Sequence, residues 1–139
     1  MIGKFHPLLV HLPIGFFFLA FLIRVLIALK KISVGESFFK WVLLSTFVVS
    51  LLSMGTGWQL SGAGEYDAGT LSRHQWSAVL FSTPLLLLYF TQNKARVQAI
   101  LWGMALVVLT FAGHYGGTLT HGADFLQQTP PEQPHSIEN

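Results

Sequence analysis

Gly113-His114-Tyr115-Gly116-Gly117-Thr118-Leu119-Thr120-His121-Gly122 is the stretch around which the rest of the chain is organised. It follows the last long apolar run and holds two histidines, seven residues apart, among four glycines. Because glycine has no Cβ, it lets a backbone come close to another helix or to a flat ligand. The Gly116-Gly117 pair also predicts that the preceding helix turns or frays there. We expect the earlier histidines of the chain to lie at the same level as this stretch.

The composition is that of a small membrane protein. Of the 139 residues, 52% are hydrophobic and only 10% are charged, whereas soluble domains carry roughly 25% charged residues. The chain has no cysteine, which excludes disulfides, thiolate metal sites, iron–sulfur clusters and covalently attached c-type haem within it. The net charge of +2 comes from basic residues scattered at loop positions. Membrane topology explains them better than nucleic-acid binding does.

Four apolar runs are long enough to cross a membrane, at roughly 7–29, 40–58, 75–91 and 97–114, since a spanning helix needs about 20 mainly apolar residues. The first run is too long for a signal peptide, so we interpret it as a retained helix. The sequence predicts an all-α, integral membrane four-helix bundle over residues 1–126. The segment 127–139, which includes His135, is predicted to be a disordered periplasmic tail. No internal repeat is evident.

The distribution of charge predicts the orientation of the bundle. The connections 30–40 and 92–96 carry most of the lysine and arginine, whereas the connection 59–74 and the C-terminal segment carry most of the acidic residues. Loops rich in Lys and Arg stay in the cytoplasm. Both termini are therefore predicted to face the periplasm, in a multi-pass protein of a bacterial inner membrane.

Histidines from three distant segments are predicted to meet near the periplasmic leaflet. The outer ends of the helices carry five of the six histidines: His6, His11, His74, His114 and His121. A histidine near the hydrocarbon edge is a functional candidate by default. The simpler interpretation of any single one is an interfacial ring bonded to a carbonyl or to water. Chance would spread some of the five to the other leaflet, which favours the functional interpretation.

A b-type haem suits this set of residues. It needs a neutral imidazole on each axial face, an apolar slot and a polar partner for its propionates, and facing helices of a bundle can supply imidazoles and slot. The predicted axial candidates, for one or two haems, are His11, His74, His114 and His121, with His6 in reserve. His6 and His11 are separated by about 140° on a helix, so they cannot share one face. Arg73, beside His74, is the predicted propionate partner.

Two other interpretations stay open. Copper, zinc or iron could bind three or four of these imidazoles without haem, with Glu65, Asp67 or Asp124 as further ligands. The chain could also be a cofactor-free membrane anchor or assembly subunit. A quinone pocket near Trp58 and Tyr66 is a further idea, based on residue type alone. The sequence holds no hydrolytic metal motif, phosphate-binding loop or dinucleotide fingerprint, so we expect an electron-transfer subunit more than a self-contained enzyme.

Small residues form a stripe on the second helix and another on the fourth. The first stripe consists of Thr46, Ser50, Ser53 and Gly57, at steps of four, three and four. The second consists of Ala99, Gly103, Leu106 or Val107, Thr110 and His114. Residues at these spacings share one face of a helix. Such stripes allow close helix packing in lipid and leave room for a flat macrocycle.

Both ends of the chain resemble a known family. Residues 5–14 (FHPLLVHLPI) are similar to the start of an uncharacterised bacterial membrane domain family with a His-Pro-x-x-Val-His-Phe-Pro-Ile pattern, except that Leu12 stands where the pattern has Phe. Arg73-His74 resembles the histidine at the start of that family's third helix. Residues 113–126 resemble the closing motif of members joined to planctomycete-type c-type cytochrome domains. The resemblance covers residues 5–126.

The resemblance implies four helices and a neighbourhood of c-type cytochromes. The chain itself lacks a c-type domain, so a separate partner would provide it. Together with the histidines, the resemblance favours a cytochrome b-like subunit of a respiratory complex. Such a subunit would pass electrons between the quinol pool and periplasmic c-type cytochromes.

Overall fold

The computed structural model describes residues 2–124, which are helical apart from short connections. Four helical segments follow one another: α1 (Ile2–Ala28), α2 (Glu36–Ser61), α3 (Ala68–Phe90) and α4 (Ala95–His121). The all-α prediction is therefore confirmed, with four helices in the described part of the chain. The predicted tail 127–139 lies outside that part.

The first helix begins irregularly, because two prolines lie close together in it. A 3-10 turn (Ile2–Phe5) leads into one α-helical turn (His6–Leu9), and the long part of the helix (His11–Ala28) follows a break at Val10. Pro7 lies in the first turn, where its missing N–H has no helical partner anyway. Pro13 cannot donate to the carbonyl one turn earlier, so the hydrogen-bond ladder is interrupted near Val10.

Single residues determine two other helix ends. Asp67 caps α3, because its carboxylate accepts hydrogen bonds from the hydroxyl and the amide N of Thr70, at 2.7 and 2.8 Å. These bonds hold the pKa of Asp67 below its usual value. α4 ends before Gly122, whose φ of 88° lies in the left-handed region that favours glycine. The predicted turn at Gly116-Gly117 was wrong, since α4 continues through that pair to His121.

Three of the helices are long and apolar enough to cross a membrane: α1, α2 and α4, with 27, 26 and 27 residues. This agrees with the membrane protein that the composition predicts. α3 has 23 residues. Its first half is more polar than the other helices, because it carries Arg73, His74 and Gln75.

Aromatic rings pack tightly in the middle of the bundle. Phe17 of α1 is fully buried, and its ring centroid lies 5.3 Å from that of Phe81 on α3 and 5.5 Å from that of Trp102 on α4. The rings of Phe21 and Phe39 lie 5.6 and 6.4 Å from the Trp102 indole. We call these five side chains the aromatic plug. It joins all four helices through ring contacts, since Phe39 lies on α2.

The closest backbone packing is between helices that follow one another in the chain. α1 packs on α2, α2 on α3, and α3 on α4. Over residues 2–124, α1 and α4 have no comparable backbone contact; they meet through the aromatic plug, where Phe17 and Phe21 reach Trp102. Between the plug and the histidine-bearing end, both helices line a cavity.

Candidate functional site

A cavity of about 460 Å³ opens at the histidine-bearing end of the bundle, on one side of the aromatic plug. All four helices contribute to its wall, and its surface is mainly apolar. Four of the five predicted histidines line this one cavity: His6, His11, His74 and His121. Residues from the beginning, the middle and the end of the described chain therefore meet around a single space.

His6 is half-buried and is held against α2. Its Nδ1 lies 2.9 Å from the carbonyl oxygen of Ser53. A carbonyl only accepts, so Nδ1 carries the proton and donates. The imidazole lies over Gly57, where an added Cβ would be 2.9 Å from His6 Cε1. The position of the ring thus requires glycine at residue 57.

His74 is held against α4 in the same way. Its Nδ1 donates to the carbonyl oxygen of Ala112, at 2.9 Å. The ring lies over Gly116, where an added Cβ would be 3.1 Å from His74 Cε1. This contact gives a physical role to one glycine of the stretch 113–122.

The two anchored imidazoles lie close to each other. Their ring centroids are 6.3 Å apart, with an angle of 79° between the ring planes. Because Nδ1 donates in each ring, Nε2 is the nitrogen that is left to bind a metal. Metal–imidazole bonds are about 2.0 Å long, so two imidazoles on opposite sides of one ion have centroids roughly 6 Å apart. The observed separation suits a shared metal centre.

The two anchoring arrangements belong to a larger internal repeat. In each helical hairpin, a histidine near the start of the first helix donates to a carbonyl of the second helix, four residues before the glycine under its ring. The hairpins are α1–α2 and α3–α4. They run in the same direction, because successive helices alternate. This arrangement corresponds to a parallel repeat about an axis along the bundle.

The spacing of buried residues follows the same repeat. After His6, α1 buries Pro13, Phe17 and Ala20, at steps of seven, four and three. After His74, α3 buries Phe81, Leu85 and Leu88 at identical steps. The packing face of α2 is Thr46, Ser50, Ser53 and Gly57, and that of α4 is Ala105, Leu109, Ala112 and Gly116, again at identical steps. The residue types differ between the halves, so the sequence alone hides the repeat.

The predicted stripe of small residues was right for α2 and wrong for α4. Thr46 and Ser50 are buried and donate to carbonyls one turn earlier, of Val42 and Thr46, at 2.8 Å each. On α4 the predicted residues Ala99, Gly103, Thr110 and His114 are exposed. The stripe that packs on α3 is displaced by two residues toward Ala112 and Gly116.

The other histidines differ in their positions. His11 and His121 are exposed at the cavity; His11 Nδ1 lies 2.7 Å from the Pro7 carbonyl, and His121 Nδ1 lies 2.7 Å from the Thr120 hydroxyl. His114 is exposed and does not line the cavity; its ring centroid is 5.5 Å from that of Tyr115. The structure thus pairs His74 with His6, the histidine that the sequence analysis held in reserve.

Arg73 lies away from the cavity. It lines a separate groove on the outer surface of α3 and α4, together with Trp76 and Tyr115. Adjacent residues are about 100° apart around a helix. Because His74 faces the cavity, Arg73 lies on a different face of α3. The role of Arg73 at a propionate stays a prediction.

The residues named for the alternative sites are also located. Trp58 and Tyr66, the predicted quinone contacts, line the cavity, while Glu65, Asp67 and Asp124 are exposed. In the part of the chain that the structure describes, no three His, Asp or Glu side chains come together closely enough to hold a metal ion. Among residues 2–124, His6 and His74 form a ring contact between two histidines.

Comparison with known proteins gives no counterpart for this arrangement. No family model matches the chain, and no curated protein and no solved structure is similar to it. The resemblance to a bacterial four-helix membrane domain family therefore stays a prediction. The function has to be inferred from the cavity itself.

Proposed function

We propose that the chain is a membrane-embedded, cytochrome b-like electron-transfer subunit whose haem is held by His6 and His74. One observation carries the proposal: the ring centroids of two histidines from different hairpins lie 6.3 Å apart in an apolar cavity. The Nδ1 atom of each ring donates a hydrogen bond to a backbone carbonyl. The Nε2 atoms of His6 and His74 would hold the iron of a b-type haem, which binds to histidine. When bound, haem would supply one-electron redox chemistry.

The surroundings of the pair also suit haem. The cavity volume of about 460 Å³ falls within the roughly 300–1,000 Å³ typical of ligand sites. Its wall is mainly apolar, which limits the access of water. The carbonyls of Ser53 and Ala112 fix the tautomer and the orientation of the imidazoles, and such bonds raise the basicity of a ligating histidine. The repeat favours one haem between two equivalent ligands, the lower of the two predicted numbers.

The proposed partners follow from orientation and chemistry. The basic connections, with Lys30, Lys31, Lys94 and Arg96, lie at the end of the bundle opposite the cavity. Under the positive-inside rule the cavity then faces the periplasm of an inner-membrane protein. A haem in this place would exchange electrons with periplasmic c-type cytochromes and with quinol, within a larger complex.

The cofactor is tested first by spectroscopy. We expect the protein, produced with sufficient haem and purified in detergent, to show b-type bands in a reduced-minus-oxidised spectrum. Extraction with pyridine should give about one haem per chain, the stoichiometry of one bis-histidine centre. A colourless protein after haem supplementation contradicts the proposal. Stoichiometric copper or zinc without iron would favour the non-haem metal site, and a metal-free, haem-free protein would favour the anchor subunit.

The orientation is tested by labelling single cysteines, since the native chain has none. We expect Glu65→Cys, in the α2–α3 connection, to react with a membrane-impermeant maleimide in intact spheroplasts. Ser33→Cys, in the α1–α2 connection, should react only after the membrane is permeabilised, because Lys-rich loops are retained in the cytoplasm. The reverse pattern of labelling would place the cavity at the cytoplasmic face.

A further inference from the structure

The internal repeat is broken at one helix contact. If the two hairpins were fully equivalent, the contact between α2 and α3 would have a counterpart between α4 and α1. α2 and α3 pack along each other, but α4 and α1 show no comparable backbone contact within residues 2–124. We call the space between α1 and α4, beside the cavity, the α1–α4 seam.

Two large side chains of α2 have no counterpart beside the α1–α4 seam. Met54 and Trp58 lie on α2, three residues before and one residue after Gly57, and both line the cavity. The equivalent positions on α4, relative to Gly116, are Gly113 and Gly117, which line the cavity as well. An added Cβ at Gly113 would have no atom within 4 Å. The α4 wall of the seam is therefore bare backbone at these positions.

A hydrogen bond that ties α2 to α3 also lacks its counterpart. Gln75 Nε2 donates to the Ser61 hydroxyl across that contact, at 3.3 Å. The equivalent residues of the seam are Pro7, one residue after His6, and Thr120, four residues after Gly116. The Pro7 side chain has no donor, and the Thr120 hydroxyl donates within α4, at 3.1 Å to the carbonyls of Gly116 and Gly117. Nothing in this pair draws α1 and α4 together.

We infer that the α1–α4 seam is the lateral opening through which the edge of a planar macrocycle passes from the lipid side to His6 and His74. This inference rests on the proposed function. A flat ring needs a narrow gap with bare walls, and glycine provides such a wall. Pro7 and Val10 of α1 and Gly113 and Gly117 of α4 line the same cavity as the two histidines, so an opening at the seam would lead to the anchored imidazoles.

The test introduces on α4 the side chain that α2 has at the equivalent position. Gly113→Met places on α4 the residue that α2 carries at the equivalent position, and we expect it to lower haem occupancy by about tenfold, because the added side chain fills the gap. The matched control is Gly103→Met, on the same helix, where an added Cβ also has no atom within 4 Å and where the residue does not line the cavity. Haem per chain and the thermal unfolding midpoint of the haem-free protein are measured for both.

A removable chemical label at position 113 distinguishes obstruction of the seam from misfolding of the protein. Gly113→Cys is purified without haem and labelled with a bulky methanethiosulfonate. We expect the label to slow haem uptake and removal of the label by a reductant to restore it, whereas labelled Gly103→Cys should take up haem at the unlabelled rate.

Two results would count against these ideas in different ways. If Gly113→Met and labelled Gly113→Cys load haem as the Gly103 variants do, the lateral opening is wrong while the proposed function stands. If the unmodified protein binds no haem at all, the proposed function fails first.

Discussion

Replacing either His6 or His74 with alanine is expected to remove the haem from the purified protein. Each variant loses one of two ligands, so haem per chain should fall by about tenfold or more, an effect at least as large as that of losing an outer-shell partner. The measurement is the pyridine extract and the reduced-minus-oxidised spectrum of each variant. Because the two residues occupy equivalent places in the repeat, their effects should be similar.

The matched control is His114→Ala. His114 lies near the same end of the bundle but is exposed and does not line the cavity, so this variant should keep its full haem content. Imidazole added to His74→Ala should restore part of the spectrum, a result that a merely structural role for His74 does not predict. Full haem in His6→Ala and His74→Ala, with loss in His114→Ala, would contradict the proposed pair and would favour ligands among His11, His114 and His121.

The second large effect is expected from Gly57→Leu. A Cβ at this position would already lie 2.9 Å from His6 Cε1, so leucine must push the imidazole off the Ser53 carbonyl. We expect haem content to fall by about tenfold or more, as it does when a ligand loses its positioning bond. The melting temperature of the haem-free protein should fall too, because the start of α1 loses its contact with α2 at His6.

Gly55→Leu is the matched control on the same helix. An added Cβ at Gly55 has no atom within 4 Å, and leucine favours a helix over glycine by about 1 kcal/mol. This variant should therefore bind haem normally and melt at the same or a higher temperature. Equal haem loss in both variants would show that α2 is sensitive to any substitution. The specific role of Gly57 in positioning the His6 ring would then be wrong.

The helices themselves could be predicted because long apolar runs leave few alternatives. The assembly of distant histidines at one end also follows from simple alternation of the helices. The choice among those histidines could not be predicted, because it depends on the start of α1. There the 3-10 turn and the break at Val10 set the direction of His6 relative to His11, and apolar periodicity does not encode these details.

The face of α4 was mispredicted for a different reason. The helix carries small residues on two faces, one with Gly103 and Thr110 and another with Ala112 and Gly116. Lipid tails are as apolar as a protein core, so hydrophobicity does not distinguish the packed face from the exposed one. The useful signal was the spacing shared with α2, at steps of four, three and four, which becomes visible only when the two hairpins are compared.

The aromatic plug separates the end of the bundle that holds the cavity from the opposite end. Its rings fill the middle of the protein, and the indole N–H of Trp102 has no hydrogen-bond partner among residues 2–124. Under the proposed function, the haem would lie between the plug and the periplasmic face, and it would exchange electrons at that face. Turnover would then move no net charge across the bilayer, and any membrane potential generated by the complex would have to come from another subunit.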